Sequence, residues 1–377
     1  MQPIYLDNNA TTPLLPAVWE AMRPFALDAF GNPASAHAAG RRARRALEDA
    51  REQIAALLDA FPDEVVFTSG ATESNNLALV SLAGDPPAHL LASPVEHPSV
   101  VEPLRQLAGR GFVVEWLPVD RDGIVLVADL IARLRDDTRL VAVQLANHET
   151  GAVQQSSEFG VRSSEFGAAF HCDATQAVGK IPARFHELGA TTLALSPHKF
   201  HGPKGVGALL VRRGTKLRPL LFGGHQQQGR RPGTESVALA VGLATALDLA
   251  VSEMDARRET VLRLRQRLLD HLQRNVAPVV LNGSKDGLPH TLNLSFPGVK
   301  ADLLMMNLDL AGVACSTGSA CSSGSLLPSP VLQAMGVADD VLRSALRFSL
   351  SFLLTAAEID EAGRRVVEVV QRLRGAV

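Results

Sequence analysis

From Glu64 onward, short apolar runs recur between polar stretches: EVVF (64–67), HLLAS (89–93), FVVEWLPV (112–119), RLVAVQLA (139–146), AAFHC (168–172), TLALS (192–196) and VGALLV (206–211). Runs of this length bounded by turn residues read as buried strands. Stretches with helical spacing, Ser74 to Ala83, Ser99 to Arg110 and Val127 to Leu134, separate the early ones. Strand alternating with helix predicts an α/β fold: a mostly parallel, seven-stranded sheet with helices on both faces. The last two runs have no helix between them, which leaves antiparallel pairing open to them.

Before this block, YLDNNATTPLLP reads as a short strand followed by polar, Pro-rich turns. GNPASA (31–36) is a further loop ahead of the first clear helix, Ala38 to Leu58. After Thr234 the pattern becomes one long helical segment, Val237 to Arg274, apolar at helical spacing. Strands at Thr291 to Phe296 and Ala345 to Leu350, with helices near Ala301 to Leu310 and Ala356 to Arg374, then suit a smaller α+β domain. The expected division is a large domain over 15–250 and a small one built from 1–14 and 251–377. Between the late elements lies CSTGSACSSGSLLPSP (315–330), too rich in Ser, Gly and Pro to pack a core and expected to be mobile. The repeat SSEFG, at 156–160 and 163–167, is spaced by two helical turns and reads as a local duplication within one helix.

Composition narrows the function classes. With 37 basic and 39 acidic residues, a formal net charge of -2 gives no field that would draw in nucleic acid or an anionic membrane. The densest basic run, RRARR (41–45), falls in the first helix and reads as a solvated face. Three cysteines, Cys172, Cys315 and Cys321, are too few and too odd in number for a disulfide framework and fit a reducing compartment. No CxxC or HExxH spacing points to a metal. The N-terminal stretch has neither a basic head nor an apolar core, and no apolar run is long enough to span a bilayer. A cytoplasmic protein is expected.

Chemistry concentrates at strand ends. In LALSPHKFHGPKGVG (193–207), Lys199 follows an apolar strand where a sheet edge opens into a loop. Desolvation and the neighbouring His198 and Lys204 favour a neutral amine able to form an imine with an aldehyde; a surface lysine in a basic loop is the plainer alternative. TSGATESNN (68–76) follows a strand and opens a helix, the arrangement that binds phosphate through free backbone N–H groups, with Thr72 adding a hydroxyl. An ordinary helix N-cap would use the same residues. Asp173, in FHCDATQ, closes an apolar strand and needs a cationic or hydrogen-bonding partner. A protonated pyridine nitrogen is one such partner and capping of the next helix is the other reading.

The motifs YLDNNATT, GNPASAH, TSGATESNN, EHPSV, DATQAVGK, SPHKFHGPKG, GRRPGTE, GSACSSGS and LRFSL follow one another as in the cysteine desulfurases, fold type I pyridoxal-phosphate enzymes of the class V aminotransferase family. The resemblance runs from Tyr5 to about Asp360. It implies pyridoxal 5'-phosphate as cofactor, Lys199 as the residue that links to it, Asp173 on its ring nitrogen, His97 stacked on its ring and Gln176 near its ring hydroxyl. Ala71, Thr72, Ser196 and His198 match the phosphate cradle. Thr234 resembles a threonine that reaches the neighbouring subunit's phosphate, so a homodimer is implied. Arg347 resembles the arginine that holds the substrate carboxylate, a task suited to a planar bidentate donor. Cys321 matches the persulfide-forming nucleophile, and the Gly/Ser-rich flanks suit a thiol that must travel. Cys315, after the apolar AGVA, and Cys172, inside a strand, read as packing residues.

The implied reaction converts L-cysteine to L-alanine with transfer of sulfur to Cys321, for delivery to an acceptor such as an iron-sulfur scaffold protein. Other enzymes of the same fold, such as a selenocysteine lyase or an aminotransferase, and a non-catalytic sulfur-transfer scaffold are the competing readings. The chain departs from the family pattern at His148, where an Asn is common, at Gln228, where an Arg is common, and at Ser351 and Phe352, where Gly-Arg is usual. His148 is expected to donate to the cofactor's ring oxygen or the substrate carboxylate, and to add a titration near neutrality to the activity profile.

Overall fold

The computed structural model describes residues 3–318 and 328–375. Its central sheet has seven strands: β1 (Val65–Thr68), β2 (His89–Ala92), β3 (Val113–Trp116), β4 (Thr138–Ala142), β5 (Ala169–Asp173), β6 (Thr192–Leu195) and β7 (Gly207–Val211). They are ordered β1-β7-β6-β5-β4-β2-β3. All run parallel except β7, which pairs antiparallel with both β1 and β6. The connection from β6 to β7 holds no α-helix, so the chain can return directly beside β6.

Alternation along the strands sends side chains to two faces. Leu91, Val141, Phe170, Cys172, Leu193 and Leu210 join one core with helices α1 (Pro16–Leu27), α2 (Ala38–Leu57) and α7 (Val237–Ser252). Their neighbours Leu90, Ala92, Leu140 and Ala142 face the other way, onto α3 (Ala71–Ala83) and α4 (Pro98–Ala108). Each fully buried Leu or Phe contributes about 1.5–3 kcal/mol, so both faces need their helical cover.

Three sequence expectations are corrected. Ala38–Leu57 is not the first helix: α1 precedes it, with Pro16 in its first turn, where a missing N–H costs nothing, and Val18 and Met22 burying one face. Met22 crosses α7 at Gly242, where an added Cβ would lie 2.5 Å from the Met22 sulfur. The long segment from Val237 is two helices, α7 and α8 (Met254–Asn275), bent by 71°. The bend follows from burial: α7 lies in the core of the large sheet, whereas Leu264, Leu268, Leu269 and Leu272 of α8 enter a second core that is not collinear with it. The second SSEFG copy also departs from expectation, since the helix Ser156–Glu165 ends before Phe166 and Gly167.

The second core gathers Ile4 and Leu6 from the N-terminus with α8, the helices Ala301–Leu310 and Ala356–Gly375, and a three-stranded antiparallel sheet (Val280–Leu281, Thr291–Ser295, Ala345–Ser349). Ile4–Tyr5 pairs in parallel with Val313–Ala314, which returns the N-terminus to this core and delivers residues 7–12 to the edge of the large sheet. RRARR has its four arginines exposed on α2, as a solvated face requires. Among the described residues no single helix is long and apolar enough to cross a membrane.

Candidate active site

The parallel strands end along one edge of the large sheet, and a cavity of about 540 Å³ opens there. Ser69–Thr72 follow β1, His97 follows β2, Gln144 and His148 follow β4, Asp173 ends β5, and Ser196, His198 and Lys199 follow β6; all line this cavity. The antiparallel β7 begins at the same edge. Gly207 is required there by close approach: a Cβ would lie 2.7 Å from Gly70, in the turn that opens α3. The first N–H groups of α3 have no acceptor within their own helix, and Ala71 and Thr72 bring them to the cavity wall.

Lys199 leaves a short turn (Pro197–Lys199), and its Nζ donates to the carbonyls of Asn9 (2.6 Å) and Ala10 (2.9 Å). It forms the partition between the large cavity and a narrow pocket of about 50 Å³ behind it. Asp173 is buried and accepts from Asn75 Nδ2 (2.8 Å) and from the Thr175 N–H (2.9 Å). Gln176 is fixed from both sides, its amide donating to Asn9 O and its carbonyl accepting from the half-buried Lys180. His97 caps α4 through Nδ1, which accepts from the Ser99 N–H, and its ring meets His148 edge-on at 5.2 Å.

Burial lowers the pKa of His97, and it pulls His198 from 6.5 down to about 4, helped by the charges of Lys199, Lys204 and Lys180. His148 is pushed well below 6.5, first by burial and then by His97, Arg347 and Lys199. This direction runs against the expected titration near neutrality, since it favours the neutral imidazole, which donates through only one nitrogen.

Arg347 lies beside the cavity wall. Its Nη1 donates to His148 O (3.0 Å) and its Nη2 to Asp7 Oδ1 (2.8 Å), while its backbone pairs with Ser316. Thr234 lies in an adjoining cavity of about 200 Å³ that shares Ser69 and Gly205 with the large one. Cys321 falls outside the described residues. The other thiols are poor nucleophiles: burial raises Cys172, and burial with Asp7 nearby pushes Cys315 up to about 12. Of the departures, Gln228 takes a left-handed backbone (φ 59°), and Ser351 and Phe352 dock on His201, with Arg257 over the Phe352 ring.

Sequence reasoning did not assign Asn75, Asn9, Ala10, Asp7 or Glu149. YLDNNATT and TESNN carried the first four, but only the fold shows that one motif supplies carbonyls to Lys199 and the other an amide to Asp173.

The wall fits a phosphorylated aromatic aldehyde. It has a lysine at the centre, a buried carboxylate, a histidine ring, and helix N–H groups at one end. Two of its buried atoms, His148 Nδ1 and Thr175 Oγ1, have no hydrogen-bond partner among the described residues. This is the layout of a fold type I pyridoxal-phosphate enzyme. The Aminotransferase class-V family model matches residues 4–361. Among curated proteins, cysteine desulfurase IscS of Dictyoglomus turgidum is 43% identical over 375 residues, covering 98% of this chain and 95% of that protein. Among solved structures, a NifS-like protein superposes with a TM-score of 0.93 at 35% identity, covering 98% of this chain and 100% of its own. SspA in complex with cysteine gives a TM-score of 0.81 at 33% identity, covering 92% of this chain and 98% of its own. The chain belongs to the cysteine desulfurases of the class-V aminotransferase family, enzymes that depend on pyridoxal 5'-phosphate.

Proposed function

We propose that this enzyme transfers the sulfur of L-cysteine to Cys321, leaving L-alanine, with Lys199, Asp173, His97 and Arg347 as the residues that organise the reaction. The observation that carries the assignment is the convergence of Lys199, Asp173 and His97 on one cavity at the strand ends. Bound there, pyridoxal 5'-phosphate supplies an aldehyde for amines and an electron sink for the substrate's Cα.

The chain's own residues do the rest. Lys199 holds the cofactor and then, freed, moves the proton at Cα. Asp173, held in place by the Asn75 amide and the Thr175 N–H, stabilises a protonated ring nitrogen. His97 packs on the ring. Ala71, Thr72, Ser196 and His198 cradle the phosphate, and Gln176 meets the ring hydroxyl. Neutral His148 presents one donor to the ring oxygen or the substrate carboxylate. Arg347, oriented by Asp7 and His148 O, binds that carboxylate. The Cys321 thiolate attacks the substrate sulfur: an S–S bond forms, the substrate's Cβ–Sγ bond breaks, and a proton taken up at Cβ completes alanine.

The persulfide is read as cargo for a protein acceptor, an iron-sulfur scaffold being the leading candidate. A homodimer is inferred from Thr234, which stands apart from its own chain's cavity and would complete the phosphate site of a second copy. The two cores are read as two domains, 15–250 and 1–14 with 251–377. A cytoplasmic setting suits the free thiols Cys172 and Cys315.

Incubating the holoenzyme with L-cysteine and measuring alanine, together with the mass of the Cys321 peptide, tests the assignment. Lys199→Ala should lose the visible absorbance of the lysine-linked cofactor. Cys321→Ser should keep that absorbance and form no persulfide. Alanine and sulfur release at the wild-type rate from Cys321→Ser would overturn the choice of nucleophile.

A further inference from the structure

The turn that follows β4 ties the cofactor cavity to the chain on either side of Cys321. Asn147 Oδ1 accepts from the N–H groups of Glu149 and Thr150 (2.8 Å each), which fixes the turn. His148 faces the cavity, and its carbonyl accepts from Arg347 and from Asn9. The next residue, Glu149, is 2% exposed and turns away from the cavity.

Its carboxylate meets two points that are adjacent in space and distant along the chain. Ser329 donates its hydroxyl to Glu149 Oε2 (2.5 Å), while Ser329 Oγ itself accepts from the Leu332 N–H (3.1 Å), capping the short helix Pro330–Ala334. On the other side, Gly318 packs so closely that a Cβ would run into Glu149 Oε2 and Cδ. In the sequence, Gly318 and Ser329 stand on either side of Cys321. Glu149 Oε1 also stands 3.7 Å from His148 Nε2. A buried carboxyl group is costly to maintain unless its partners hold it. Here the partners are the two anchors of the sulfur-carrying segment and the cavity wall.

We propose that Glu149 is a positioning residue for sulfur transfer: it clamps the anchors at Gly318 and Ser329 and sets them at a fixed distance from His148 and Arg347. The inference rests on Cys321 being the sulfur acceptor. Geometry of this kind acts on the step in which two reacting sulfurs must meet, where a displacement of about 1 Å costs on the order of 100-fold in rate. It does not act on the covalent link or the phosphate cradle, because Lys199, Ala71, Thr72, Ser196 and His198 belong to other strand ends.

Single-turnover reaction of the holoenzyme with L-cysteine, followed by mass spectrometry of the Cys321 peptide and by the cofactor's visible spectrum, tests this. Glu149→Ala should slow persulfide formation by roughly 10- to 100-fold while the cofactor content and the spectral change on adding cysteine stay at wild-type levels. Glu149→Gln, which keeps an acceptor for the Ser329 hydroxyl, should restore most of the rate. Ser329→Ala removes the same bond from its other end and should reproduce the defect even if Glu149→Ala fails to fold. A wild-type persulfide rate in Ser329→Ala, or a loss in Glu149→Ala matched by an equal loss of cofactor, refutes the clamp. Cys321→Ser, run in parallel, separates the two ideas: sulfur found on another residue in that variant sinks the underlying assignment whatever Glu149 does.

Discussion

Replacing His201 with Asn should change the enzyme's acid stability by a calculable amount. The His201 ring is 5% exposed, with Nδ1 against Pro13 O (2.9 Å) and Nε2 against Ser351 Oγ (3.2 Å), and it stacks edge-on with Phe352. Burial first, and then the charges of Arg257 and Lys180, pull its pKa from 6.5 down to about 4. The unfolded chain therefore takes up a proton below about pH 6.5 that the folded chain refuses until about pH 4, so His201's contribution is present at neutral pH and lost as the pH falls through that window. At about pH 5 the loss amounts to roughly 2 kcal/mol, a sizeable part of the 5–15 kcal/mol that holds an ordinary domain together. Asn has no such titration, and it tolerates the left-handed backbone at this position (φ 69°). The variant should be the less stable protein near pH 7.5, having lost the ring's packing, and should gain on wild type by about 2 kcal/mol as the pH is lowered to about 5. Urea midpoints of both proteins across this range, with the difference plotted against pH, measure the effect, because titrations elsewhere, such as those of the buried Glu96 and Glu149, cancel between them. A difference independent of pH would refute the reasoning.

Other outcomes follow from the same geometry. His148→Asn should leave the shape of the pH–activity profile unchanged between about pH 6 and 9, because burial keeps the imidazole neutral there; disappearance of a limb of that profile in the variant would show that His148 titrates after all. Diluting the enzyme until it is monomeric should weaken cofactor retention, and Thr234→Ala should weaken it without dilution; a monomer that holds cofactor as tightly as the concentrated protein would break the proposed link to the second subunit.

The sequence by itself determined the sheet and the chemical identity of the site. The apolar runs that predicted strands are strands, since buried strands need continuous apolar sequence; only Val113–Trp116, expected to be buried, lies partly exposed, because it is an edge strand. Lys199 and Asp173 were legible because a charged residue at the end of such a run must have a partner, and the motif order supplied the family. Tertiary structure decided what sequence distance hides. Helix α1 escaped notice because Pro16 and Pro24 resemble breakers until Val18 and Met22 are seen packed in the core. The single run from Val237 became two helices because two separate cores claim its halves. The ligands of the key groups lie far away in the chain: Asn9 and Ala10 on Lys199, Asn75 on Asp173, Asp7 on Arg347, Ser329 on Glu149. No local pattern encodes those pairs, since each depends on where separate strands end. The protonation of His148 belongs to the same class, because whether an imidazole carries charge depends on its burial and on its cationic neighbours, and only the folded chain brings these together.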